Sequence, residues 1–353
     1  MKNIWQAVCL VLLICLTACT SQPETPIFLP TTIILPTQFK ASATVTPISL
    51  LLPGPTASPT QTEPSATPTL SPTPRPQIPD FSYIIFIVFE NKEYTSVIGN
   101  RYMPNYNRLA SEYTLLNQHY AIMHPSLPNY IAMIAGDTFR INTNYPKEVI
   151  VAPSLPDFIE ASGRSWKTYQ DNMPQPCGLQ DTLKYVQKHN PFVFFNSIRN
   201  DARRCEEHVV PLTELKTDIK QDRLPNFVFI TPDLCNSAHD SYTNPENCGV
   251  QVADAWLNRQ VEELMAYQPV AQNGVIIVTW DEGQGDHGCC GLGTGGGRVP
   301  TLLISSKVKK GFVDETPYTH YSLLKTVSEA WVLPALGHAA DPETALITAP
   351  WMQ

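Results

Sequence analysis

Two pairs of polar residues stand directly after apolar runs: Tyr83 to Phe89 leads into Glu90-Asn91, and Val275 to Trp280 leads into Asp281-Glu282. In open α/β sheets, ligand sites gather beyond the carboxyl ends of strands. Two such ends from distant sequence can therefore bring three carboxylates and one amide oxygen together. Carboxylates in one pocket repel each other unless a cation sits between them, so a metal is the natural resolution. Taken alone, each pair reads more readily as the polar start of a loop. A third feature is His124-Pro125-Ser126-Leu127-Pro128-Asn129-Tyr130, just ahead of the apolar stretch Ile131 to Ala135. Ser126 sits where a helix would begin, which suits an N-cap. The same place offers free backbone N–H groups and the positive end of the helix dipole, so a serine there can meet an anion such as a phosphate.

These residues need elements to carry them. Apolar runs bounded by turn signals alternate with amphipathic stretches, the pattern of an α/β domain with a largely parallel sheet. Strands are expected over Tyr83 to Phe89, Ser165 to Tyr169, Asn226 to Ile230, Val275 to Trp280 and Thr301 to Ile304. Helices are expected over Met103 to Tyr113, Leu127 to Ala135, Pro156 to Ala161, Val252 to Tyr267 and Ser322 to Val332. No internal repeat is visible.

The N-terminus has its own character. Met1-Lys2 precedes an apolar run from Ile4 to Leu16 that ends in Leu16-Thr17-Ala18-Cys19. A membrane-spanning helix needs roughly 20 apolar residues, and this run is shorter, so residues 1–18 read as a cleaved signal peptide. The segment resembles the bacterial lipobox, in which the cysteine is acylated; Cys19 would then tether the protein to a membrane. From residue 19 to 79 Pro, Thr and Ser dominate and about 14 of the 33 prolines fall here, too many for a helix or a central strand. An extended linker is expected, with residues 80–353 forming one domain of about 270 residues. The chain carries −8; Lys2, Lys40 and Arg75 against Glu24 and Glu63 give the leader about +1, which leaves about −9 on the domain. Such a surface disfavours nucleic acid, and a phosphate site on it would need local cations. After Cys9, Cys15 and Cys19 six cysteines remain, an even count that suggests disulfides outside the cytoplasm. Cys177 with Cys205 and Cys235 with Cys248 are the preferred pairs. Cys289-Cys290 is left open between a vicinal disulfide, other pairing and free thiols.

Phe89-Glu90-Asn91, His124 to Tyr130, Thr231-Pro232-Asp233-Leu234-Cys235-Asn236, His239-Asp240, Trp280-Asp281-Glu282, Gly297-Arg298-Val299-Pro300 and His320-Tyr321-Ser322-Leu323-Leu324 together resemble the bacterial acid phosphatase and phospholipase C phosphoesterase family. The resemblance implies an alkaline phosphatase-like fold, a parallel sheet flanked by helices. It implies that Glu90, Asn91, Asp281 and Glu282 bind a divalent metal ion (Ca²⁺, Mg²⁺, Mn²⁺ or Zn²⁺), with Ser126 as nucleophile. It marks His239, Asp240 and His287 as active-site residues and His124 and His320 as substrate-binding candidates, each of the last two equally readable as a capping or core histidine. A serine hydroxyl is a weak nucleophile that metal coordination can activate, and phosphoryl transfer asks mainly for positioning and charge stabilisation. The expected activity is that of an exported phosphomonoesterase in the cell envelope, with a phosphate ester as substrate. A phospholipase C-type phosphodiesterase is the alternative within this class. A non-catalytic surface lipoprotein is the alternative outside it.

Overall fold

In the computed structural model the described residues are 78–239 and 248–352. Among the described residues there are ten strands: β1 (Tyr83–Phe89), β2 (Thr114–Leu116), β3 (His119–Tyr120), β4 (Trp166–Gln170), β5 (Val209–Pro211), β6 (Phe227–Thr231), β7 (Gly274–Trp280), β8 (Thr301–Ile304), β9 (Phe312–Asp314) and β10 (Tyr318–Thr319). Eight form one sheet in the order β5-β4-β6-β1-β7-β8-β2-β9, and β3 pairs with β10 separately. The pairings among β5, β4, β6, β1 and β7 are all parallel, whereas β8 runs antiparallel to both β7 and β2. The α/β architecture with a largely parallel sheet flanked by helices is thus present, with one reversed strand.

The central strands read as unbroken apolar runs because both faces of the sheet are covered. Successive side chains point to opposite faces. Ile84, Phe86 and Val88 of β1 join one core with Phe227, Phe229, Val275 and Ile277. Ile85, Ile87 and Phe89 join the other with Val228, Ile230, Ile276, Val278 and Trp280. The helices Ser126–Ala135, Leu155–Ala161 and His320–Trp331 seal the first core through Leu127, Tyr130, Ile131, Ile159, Leu323, Leu324 and Val327. The helices Pro104–Glu112 and Val250–Ala266 seal the second through Tyr106, Leu109, Trp256, Leu257 and Val261.

Helix and strand bounds fall within two residues of those expected for the long elements. β2, β3, β5, β9 and β10 are not among the expected strands, because a strand of two or three residues shows no alternation in sequence. Disulfides join Cys177 to Cys205, Cys235 to Cys248 and Cys289 to Cys290. The first two are the expected pairs, and the third is the vicinal alternative. All described residues belong to one unit, and Cys19 lies outside the described residues. Among the described residues no helix is long and apolar enough to cross a membrane.

Candidate active site

The register of the sheet assembles the site. Phe89 of β1 lies opposite Trp280 of β7, their rings stack with centroids 4.8 Å apart, and the Asp281 amide donates to the Phe89 carbonyl (3.0 Å). The residues that follow, Glu90 and Asp281, therefore leave the sheet side by side. Asn91 then turns back with φ of 48°, a left-handed conformation that asparagine tolerates better than most residues. Its backbone N–H donates to Asp281 Oδ1 (3.0 Å).

One carboxylate oxygen from each of Glu90, Asp281 and Glu282 lies within 4.8 Å of the others, and all three residues are buried. Asp281 Oδ2 accepts no hydrogen bond, while Glu90 Oε1 is met by His189 Nε2 and, at 3.6 Å, by Lys188 Nζ. Burial pushes the Asp281 carboxyl well above the usual range, and the charges of Glu90 and Glu282 push it further. Burial and Glu90 likewise raise Glu282, against hydrogen bonds from His124 and Ser126. Burial also opposes ionisation of Glu90, but His189, Lys188 and His239 beside it hold it well below the usual carboxylate range. Three buried carboxylates with unsatisfied oxygens at this spacing fit a hard divalent cation, which neutralises such a cluster and favours oxygen ligands.

Ser126 reaches the same point from the first residue of its helix. Pro125 is the N-cap, with no side-chain cap bond, so the N-cap reading of Ser126 gives way. The Ser126 hydroxyl instead donates to Glu282 Oε1 (3.1 Å). One of the free amides expected at this helix start is already engaged, since Leu127 N–H donates to Asn144 Oδ1 (3.0 Å). His124 Nδ1 meets Glu282 Oε2 at 2.6 Å and its Nε2 meets the Gly285 carbonyl at 3.1 Å. Burial works against the imidazolium, but these contacts raise the His124 pKa.

The other expected residues separate. His239 borders the cluster, its Nε2 at 3.8 Å from Glu90 Oε2 and its side chain 27% exposed. Asp240 lies outside the described residues. His320 is fully buried and its Nε2 bonds the backbone carbonyl of Asp281 at 2.6 Å. It holds the Asp281 backbone, and no described contact turns it toward the cluster. Burial lowers its pKa to about 4, so the ring is neutral at neutral pH. His287 is exposed and lines a separate recess of about 560 Å³ with Glu93, Tyr120 and Arg298. The glycine-rich loop folds it away from the carboxylates as the Gly297 N–H bonds its carbonyl (3.0 Å).

Three contributors escaped sequence reasoning. His189 is buried, contacts Glu90 Oε1 directly through Nε2, and stacks on Tyr130 with centroids 5.4 Å apart. Lys188 Nζ lies 3.6 Å from Glu90 Oε1. Both sit in the 3₁₀ turn Gln187–His189, which has no periodic signal; only the adjacency of lysine and histidine before Asn190-Pro191 could have flagged them. Glu93 braces the loop after β7: Oε2 accepts from the amides of Gln284 and Gly285 (both 3.0 Å) and Oε1 from Arg298 (3.1 Å). The loop passes so close that a Cβ on Gly283 would stand 2.3 Å from Glu93 Oε2, and one on Gly297, whose φ is 89°, would stand 2.8 Å away.

The sequence profile of the Phosphoesterase family matches residues 88–334, and the chain belongs to that family. It is 33% identical over 243 residues to a phosphate-repressible acid phosphatase of Penicillium chrysogenum, covering 66% of this chain and 55% of the relative. It thus spans little more than half the length of that relative. It is 29% identical over 268 residues to a phosphatidylinositol-3-phosphatase of Mycobacterium tuberculosis, covering 75% of this chain and 81% of the relative. Among solved structures, a protein of the alkaline phosphatase superfamily from Vibrio parahaemolyticus superposes with a TM-score of 0.51 at 13% identity, covering 78% of this chain and 76% of that one. At that identity the likeness speaks for the fold alone. The expected family and fold are both present.

Proposed function

We propose that this protein is an exported, metal-dependent phosphomonoesterase of the acid-phosphatase type, with Ser126 as nucleophile and a phosphoserine intermediate. The observation that carries this reading is the meeting of Ser126 with Glu90, Asp281 and Glu282, which come from three separate stretches of the chain. Glu90, Asp281 and Glu282 would hold the metal, with Asn91 as a further oxygen donor; oxygen donors suit Ca²⁺, Mg²⁺ or Mn²⁺, and the neighbouring histidines admit Zn²⁺. When bound, the metal supplies positive charge that lowers the pKa of a nearby hydroxyl and stabilises phosphoryl oxygens.

The side chains account for the remaining steps. Glu282 holds the Ser126 hydroxyl by its proton, and His124 fixes the other oxygen of that carboxylate. As Ser126 Oγ bonds to phosphorus, its proton passes toward Glu282 and the bond to the leaving oxygen breaks. His239, at the solvent edge of the cluster, donates a proton to that oxygen. Water then gives a proton to His239 as its oxygen bonds to phosphorus, the Oγ–P bond breaks, Glu282 returns its proton to Ser126 Oγ, and phosphate leaves.

Export rests on the Cys19 lipobox reading and on the three disulfides, which suit an oxidising compartment. A lipid-anchored protein in the cell envelope could reach lipid phosphates, and the resemblance to a phosphatidylinositol-3-phosphatase makes phosphoinositide monoesters a substrate class to assay. The test compares para-nitrophenyl phosphate, its bis-ester and phosphatidylcholine, with and without chelator. Monoester hydrolysis lost on chelation and in Ser126→Ala supports the proposal. Activity on the diesters alone assigns the phospholipase C-type reaction instead, and hydrolysis retained in Ser126→Ala removes the mechanism.

A further inference from the structure

The phosphoserine chemistry leaves a buried lysine beside the carboxylates unused. Lys188 sits in the turn Gln187–His189, its side chain only 10% exposed. Among the described residues its ammonium meets Glu90 Oε1 at 3.6 Å and His239 Nε2 at 3.5 Å. Both distances are long for a hydrogen bond, and the nearer oxygen of Glu90 is already taken by His189. An ammonium has three donors and no acceptor. Keeping it out of water with its donors loosely engaged is unfavourable, and an incoming anion would correct that. The cluster reaches solvent on this flank, where His239 is 27% exposed.

We propose that Lys188 binds the phosphoryl group and selects monoesters over diesters, an inference that rests on reading this site as a phosphoesterase centre. A monoester dianion carries one more negative charge than a diester, on an oxygen that a diester uses for its second alcohol. That extra charge must approach three carboxylates in a domain of net charge near −9. A divalent ion among the carboxylates attracts either substrate. The Lys188 ammonium beside Glu90 adds attraction where the substrates differ, and a lysine there meets the need for a local cation on an acidic domain.

The test is Lys188→Met, which keeps the length of the side chain and removes the charge, beside Lys188→Arg, which keeps the charge. Each is assayed on para-nitrophenyl phosphate and on its bis-ester, with the metal-induced shift in melting temperature measured alongside. In Lys188→Met, kcat/KM for the monoester should fall about tenfold to a hundredfold more than for the diester, the worth of one hydrogen bond to a charged group. Lys188→Arg should restore part of the preference. Equal losses on both esters, the mark of a merely structural role, overturn the proposal. Should Lys188→Met fail to fold, the wild-type protein decides the point. Benzylphosphonate, a dianion, must then inhibit at least about tenfold more tightly than its monoanionic monomethyl ester, and equal inhibition overturns the proposal. Monoester hydrolysis with an unchanged preference in Lys188→Met overturns this inference alone, whereas a wild type that hydrolyses neither ester overturns it together with the phosphoesterase reading.

Discussion

Asp281→Asn separates a metal site from an ordinary polar cluster. The Asp281 side chain is fully buried, Oδ1 accepts the Asn91 amide at 3.0 Å, and Oδ2 accepts nothing. Asparagine is nearly isosteric, keeps the acceptor for Asn91, and puts an NH₂ where the unpaired oxygen faced Glu90 and Glu282. Without metal, the exchange removes one of three mutually repelling carboxylates and leaves the other two a donor. The variant should then be more stable than wild type by about 1–3 kcal/mol. For a domain of about 270 residues, an unfolding entropy of roughly 2.1 cal/mol/K per residue gives about 0.6 kcal/mol per degree, so the melting temperature should rise by about 2–5 °C. With metal at about a hundred times its dissociation constant, wild type should gain about 2.7 kcal/mol, or about 5 °C. If the lost ligand weakens binding about a hundredfold, the variant at the same metal concentration gains only about 0.4 kcal/mol, or under about 1 °C. Differential scanning calorimetry with EDTA and with added metal measures all four values. A variant that is destabilised without metal, yet shifts as far as wild type when metal is added, refutes the reasoning.

Ser126→Ala should reduce kcat/KM by at least about a thousandfold while changing stability by no more than about 1 kcal/mol, since its hydroxyl makes a single bond, to Glu282; steady-state kinetics and urea titration check the two halves. His320 contributes a pH dependence with a definite sign. Its folded pKa of about 4 lies below the unfolded value of about 6.5, so between these the unfolded chain binds the extra proton and stability falls as pH falls. The metal-free domain should lose about 2 kcal/mol from this group between about pH 7 and pH 5, and His320→Gln, which can still donate to the Asp281 carbonyl, should flatten the urea-midpoint profile by that amount. Glu93→Gln places an NH₂ against backbone donors from Gln284, Gly285 or Arg298. Cleavage between residues 284 and 298 under limited proteolysis should speed up several-fold, together with a drop in kcat, while global melting stays within a few degrees.

The parts of the fold and site that were legible in the sequence are those whose physics is local. β1 and β7 are unbroken apolar runs because both sheet faces are covered, and the polar residues that end them, Glu90 and Asp281, are marked by the contrast itself. Ser126 was visible as a helix start. What escaped depends on long-range closure. Glu93 is indistinguishable from a surface glutamate until the loop about 190 residues later wraps its carboxylate. Lys188 and His189 lie in an aperiodic turn and acquire a role only when β1 brings Glu90 to them. His287 carried an expectation from motif order, but the glycines around it let the loop point it outward. His320 opens the helix that was expected from Ser322, and its bond to the Asp281 carbonyl follows from how that helix meets the end of β7.

The central claim is that Ser126 attacks phosphorus and is released by water in a second displacement. The stereochemical course at phosphorus tests this most directly, using an isotopically chiral phosphorothioate monoester hydrolysed in labelled water by the metal-loaded protein. Two in-line displacements through a phosphoserine predict net retention of configuration. Net inversion would mean that water attacks the substrate directly, and would contradict the account.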